Sequence, residues 1–145
     1  MTRNDLLAFL RQHKLGVLAT VSETGAPESA VVGIAVTDRL ELVFDTLDNT
    51  RKCLNLHRNP NISFVIGWDK EITVQYEGIA DEPKGQELDR LKQVYFAAYS
   101  DGPQRQSWPG ITYFRVRPTW VRYSDFNAPG KIVEFDQDDL RNQLS

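Results

Sequence analysis

Little in this sequence could bind a metal or close a disulfide. Cys53 is the only cysteine, which excludes an intramolecular bridge and leaves no cysteine cluster for zinc. The two histidines, His13 and His57, are too far apart to suggest a metal site. An excess of positive charge is also missing: 17 Lys and Arg face 20 Asp and Glu, for a net charge of -3. Nucleic-acid binders depend on a basic face, so no nucleic-acid partner is expected, an OB-like single-strand binder included. No stretch approaches the length of a membrane span, and Met1-Thr2-Arg3-Asn4-Asp5 carries no apolar run of the signal-peptide kind. The expectation is a cytoplasmic protein without a membrane partner. No acid–base pair or activated nucleophile stands out, so no catalytic residue is assigned.

What is present suits a small enzyme or binding domain. The 145 residues, 41% apolar and 26% charged, are enough for one core. Residues 1–145 read as one domain with its core at about 15–124 and an acidic tail at 125–145. Thr2 or Asn4 caps a first helix in which Leu6, Leu7 and Leu10 share a face, and Gly16 is expected to close it. Leu15 to Ser22 and Glu28 to Val36 read as strands joined through Glu23-Thr24-Gly25-Ala26-Pro27, a hairpin. Asp38-Arg39 turns into a third strand, Leu40 to Thr46.

A helix from about Thr50 stops before Pro60, and Ile62–Gly67 and Ile72–Ala80 are further strands. Asp81-Glu82-Pro83 is expected to open the longest helix, with Leu88, Leu91 and Tyr95 at helical spacing. The loop Tyr99–Gly110 precedes a last long strand, Ile111–Ser124, bent at Pro118. Lys131–Phe135 adds an extended piece and Asp136–Leu144 a helical end. The first three strands leave no room for crossover helices, so the fold class is α+β with an antiparallel barrel of six strands and flanking helices.

The stretch Phe44-Asp45-Thr46-Leu47-Asp48-Asn49-Thr50-Arg51-Lys52 runs from a strand into a capped helix with two cations in its first turn. A helix start is already electropositive and has unsatisfied N–H groups, so cations there are unfavourable unless an anion joins them. Two readings follow: a phosphate sits between the cations and the amides, or Asp45 and Asp48 neutralise them and the turn binds nothing.

Three motifs in the same order carry a family resemblance: Leu18-Ala19-Thr20-Val21-Ser22 with Gly25-x-Pro27, the Phe44–Lys52 stretch, and Thr73-Val74-Gln75-Tyr76-Glu77-Gly78-Ile79-Ala80. Over roughly Leu15 to Ser124 the chain resembles the pyridoxamine 5'-phosphate oxidase-like superfamily of FMN-binding split β-barrels. The resemblance implies FMN as cofactor, with Thr50, Arg51 and Lys52 holding its phosphate. Ala30, Val31 and Val32 through their backbone, with Asp45 and Thr46, are the implied contacts to the ribityl chain and ring edge. It also implies a homodimer with the flavin at the interface, Thr73, Gln75 and Trp120 reaching it from the partner. Trp120 and Gln75 have plainer readings as a packing residue and a solvent-facing strand position. The implied activity is hydride transfer at the flavin on an unidentified small molecule, with NAD(P)H or oxygen closing the cycle.

The chain departs from the true vitamin B6 oxidase at two places. Ser29-Ala30-Val31-Val32-Gly33-Ile34-Ala35 lacks the cations of the family's second strand, and Arg115-x-Arg117 does not reproduce its substrate-binding Arg-x-His. A non-catalytic flavin-binding or stress-related module, or a relative binding a deazaflavin or haem, stays open beside the oxidoreductase. Trp108 is expected to anchor its loop to the core, Cys53 to be a buried small hydrophobe, and His57 to sit at a helix C-terminus.

Overall fold

Turn chemistry sets the first half of the sheet. In this computed structural model, which describes residues 1–127 and 129–141, β1 (Leu15–Val21) and β2 (Pro27–Gly33) pair antiparallel from Val21↔Pro27 to Leu15↔Gly33. The Ser22 hydroxyl accepts the Ala26 N–H inside the connecting turn. Before them, α1 (Arg3–Arg11) begins at a capping box in which Thr2 and Asp5 satisfy each other's backbone N–H. Gly16 does not close this helix. Gln12 is its C-cap, and Gly16 lies within β1, where a side chain would press on the Phe64 ring at 3.1 Å.

The expected second strand divides at Ile34, where the pairing partner changes: β2 pairs with β1, whereas β3 is only Ala35–Val36 and pairs with β4 (Leu42–Leu47). Between them the Thr37 hydroxyl accepts the N–H groups of Arg39 and Glu41. Next come α2 (Arg51–Arg58), β5 (Asn61–Ile66) and β6 (Ile72–Asp81). The longest helix, α3 (Gly85–Ala98), starts later than expected because Asp81 still belongs to β6, its carboxylate held by Arg115 at 2.6 and 3.0 Å. The expected Tyr99–Gly110 loop contains a short α4 (Gly102–Arg105). β7 (Ile111–Asp125), β8 (Lys131–Phe135) and α5 (Gln137–Arg141) complete the described chain, and the expected helical residues 142–144 lie outside it.

All pairings are antiparallel, in the order β2-β1-β5-β6-β7-β4-β3 with β8 on the far half of β7. The sheet is therefore the expected split-barrel, α+β kind, with eight strands rather than six; the two additions are β3 and β8. At Pro118 the bend is a bulge: Glu77 pairs with Trp120 and Gly78 with Pro118, so Thr119 has no partner across the ladder. Gly78 is required there, since a Cβ would come within 2.5 Å of the Arg117 carbonyl oxygen.

Inward-facing Leu18, Phe44, Phe64, Tyr76, Phe114 and Val121 form the main core. It extends past residues 15–124 at both ends, taking in Leu6 and Leu10 of α1, Phe135 of β8 and Leu140 of α5. A second cluster, Ala35, Val43, Leu91, Tyr95 and Tyr113, sits beneath α3. No helix among the described residues is long and apolar enough to cross a membrane.

Candidate cofactor-binding site

The start of α2 is built from the end of β4. Thr50 is the N-cap, extended at φ -77° and ψ 155°, and its hydroxyl oxygen accepts the Cys53 N–H at 3.4 Å. The same hydroxyl donates to the Leu47 carbonyl at 2.9 Å, so Thr46, whose oxygen is 2.9 Å away, is the donor between the two threonines. The turn is thus held by its own hydrogen bonds. No acidic residue occupies the first turn of α2 to offset its dipole.

A cavity of about 390 Å3 opens beside this turn, lined by Leu18, Ala30, Asn49, Thr50, Arg51 and Lys52 among others. The Arg51 side chain is 73% exposed, and its one ion pair among the described residues is to Glu28 at 3.3 Å. Lys52 makes none among them. The reading in which Asp45 and Asp48 neutralise the two cations is not what the chain does. Asp45 points to the other face of β4, accepting a hydrogen bond from Tyr95 at 3.1 Å with Arg105 3.8 Å away. Asp48 folds against Gly110, whose carbonyl accepts the Asp48 N–H at 2.8 Å.

The predicted residues thus fall into three groups. Ala30, Thr46, Thr50, Arg51 and Lys52 meet at or directly behind the cavity, and Val32 lies in the core on the same face of β2. Val31 faces the opposite side of the sheet, where register aligns it with Val17, Val65, Gln75, Arg122 and Glu134 in one row across six strands. Thr73 and Trp120 share that outer face, Trp120 half-buried with the Arg122 guanidinium 5.2 Å above its ring. Asp45 stands alone under α3. Burial, and then the Asp45 charge, push the Tyr95 phenol well above its ordinary range, so the pair is a neutral donor on a carboxylate.

The side residues are settled by the same geometry. Cys53 is buried as expected, and burial raises its thiol, which leaves it inert. His57 reaches back from the last turn of α2 to the Glu82 carboxylate. Trp108 is 52% exposed, so it does not anchor its loop. Arg105 does that, over the rings of Tyr95 and Tyr99.

The antiparallel split barrel has counterparts among known proteins. The sequence model of the pyridoxamine 5'-phosphate oxidase family matches residues 3–125. The chain belongs to that family. A pyridoxine/pyridoxamine 5'-phosphate oxidase of Burkholderia mallei (strain SAVP1) is 35% identical over 107 residues, 73% of this chain and 48% of that protein. This family member therefore spans about half the length of the curated relatives it matches. Two solved structures share its fold at low identity. A haem-binding protein from Mycobacterium smegmatis superposes with a TM-score of 0.80 at 19% identity, over 93% of this chain and 58% of that one. General stress protein 26 from Bacillus anthracis does so with a TM-score of 0.72 at 20% identity, over 92% of this chain and 98% of that one.

Within this family member, Arg115 is not available to a substrate. Its guanidinium is 8% exposed and closed off by Asp81 at 2.6 Å and Glu87 at 2.7 Å. Glu28, which lines the cavity, and Asn55, which hydrogen-bonds to it, were not among the site residues read from the sequence. Period-two alternation in β2 places Glu28 on the same face as Ala30 and Val32, a signal that was available. The Asn55 contact to β1 was not, because it joins residues 35 apart in sequence.

Proposed function

We propose that this chain is an FMN-binding flavoprotein that acts as a flavin-dependent oxidoreductase on a small molecule. One observation carries the reading: a pre-ordered helix N-terminus, with two cations and no acid in its first turn, opens onto a cavity of about 390 Å3. Exposed amides of that turn accept a phosphate's geometry, Arg51 offers a planar fork, and Lys52 a point charge. Thr46 holds Thr50 in place from behind, and Ala30 gives β2 a small side chain at the cavity wall. When bound, the cofactor supplies hydride chemistry at its ring, with NAD(P)H or oxygen as the second reactant. The chain itself binds and orients, which agrees with the lack of an assigned acid–base pair.

The same reading makes the protein a cytoplasmic homodimer. Val31, Gln75, Thr73 and Trp120 stand on the face of the sheet opposite the cavity, so one chain cannot bring both groups to one ligand. Val31, Val65 and Ile79 are exposed apolar side chains on that face, which suits burial against a second copy. No specific observation favours haem: His13 Nε2 lies against Gly67 and His57 is taken by Glu82.

The test is titration of the purified chain with FMN, followed by flavin fluorescence. Arg51→Ala combined with Lys52→Ala is expected to weaken binding by several kcal/mol, at roughly 1.5–3 kcal/mol for each charge-assisted contact. Unchanged affinity in the double variant moves the phosphate elsewhere. Reduction of the loaded protein by NAD(P)H with turnover of an acceptor separates an oxidoreductase from a non-catalytic flavin carrier.

A further inference from the structure

The cavity at the start of α2 already contains an anion of the protein's own. Glu28 enters it from β2, opposite Thr20 in the β1–β2 register. One of its carboxylate oxygens accepts a hydrogen bond from the Asn55 amide at 2.8 Å and lies 3.3 Å from Arg51 Nε. The same Asn55 nitrogen donates to Thr20 Oγ1 at 3.0 Å. Asn55 is 4% exposed and Thr20 1%, so this side of the arrangement is rigid. Glu28 is itself only 21% exposed, whereas Arg51 is 73% exposed. The carboxylate is the fixed partner and the guanidinium the movable one.

Arg51 and Lys52 contribute two positive charges to the cavity and Glu28 removes one, which leaves less than a phosphate monoester brings. A phosphate drawing on Arg51 also sits close to the carboxylate that Arg51 was paired with, and like charges at that range repel. We propose that Glu28 is a resident counter-anion that holds Arg51 in reserve and keeps the affinity for a phosphate-bearing ligand low enough for release. This rests on the phosphate reading of the cavity and adds the residue that tunes it. Glu28 thereby stands where a carboxylate costs binding, and its removal strengthens the site instead of damaging it.

The test uses the full chain as wild type, Glu28→Gln and Glu28→Ala. Gln keeps the acceptor for Asn55 and removes only the charge; Ala removes both, and if it fails to fold, Gln alone decides. Inorganic phosphate is titrated while the backbone amide shifts of residues 50–53 are followed, and FMN and riboflavin are titrated by fluorescence. Glu28→Gln is expected to tighten phosphate and FMN about tenfold and to leave riboflavin, which lacks the phosphate, unchanged. Phosphate affinity that stays equal, falls, or is undetectable in all forms overturns the proposal; a fall assigns Glu28 the opposite role of aiming Arg51 at the ligand. If phosphate tightens while FMN binds no form, Glu28 keeps its role and the flavin reading alone is lost.

Discussion

Leu40 is buried with a backbone φ of 62°, a conformation that costs an L-residue with a bulky side chain about 1–2 kcal/mol. Tyr76 is part of what offsets it. Its ring is fully buried in the main core, and its hydroxyl donates to the Leu40 carbonyl at 2.8 Å, with the Val116 carbonyl at 3.1 Å. Burial pushes the phenol well above its ordinary range, which keeps it a donor at every working pH. Tyr76→Phe leaves the Leu40 carbonyl buried without that partner, and a loss of about 1–3 kcal/mol is expected in urea unfolding. An unchanged midpoint means the turn is held by Thr37 alone.

At the scale of one element, α1 shows how a surface cap is linked to pH. The Asp5 carboxylate accepts the Thr2 N–H at 2.7 Å, and that bond, with the Thr2 hydroxyl, holds its carboxyl below the ordinary carboxylate range. A group lowered on folding stabilises fully above its unfolded value, here near 3.8, and loses that contribution as pH falls through the folded one. Asp5→Asn is therefore expected to be less stable than wild type at neutral pH, the gap closing in the acid range, as thermal unfolding at a series of pH values measures. Elements such as this were legible because their signals are local: a Thr or Asn cap, a turn with Gly25, a threonine before two cations. β3 was not, since two residues carry no period. The start of α3 was misread because Asp81-Glu82-Pro83 looks like a helix entrance, while the Asp81–Arg115 contact that keeps it in the sheet spans 34 residues. Asp45 is the sharper lesson. Alternation alone puts it on the face opposite Phe44 and Thr46, yet as part of a motif it was grouped with them.

For the whole molecule, the two faces of the sheet divide the work. Thr46, Thr50 and Arg51 gather on one side, and Val31, Gln75 and Trp120 on the other, so the proposed cofactor site and the proposed dimer face are separated by the thickness of a single layer. Val31 is 60% exposed, so Val31→Lys is expected to change the stability of one chain by no more than about 0.5 kcal/mol. Under the proposed homodimer, wild type is expected to sediment as a dimer and the same variant as a monomer. A dimer that survives the lysine places the contact elsewhere.

The strand path ends at β2 on one side and β3 on the other, and β2 touches β4 without ladder bonds between them. Residues of β2 and of the helix that follows β4 line the same cavity. Under the flavin reading, a cofactor bound there would act as a clasp on a ring that the backbone leaves undone. On that reading, parting the two edges would also loosen the hold on the cofactor.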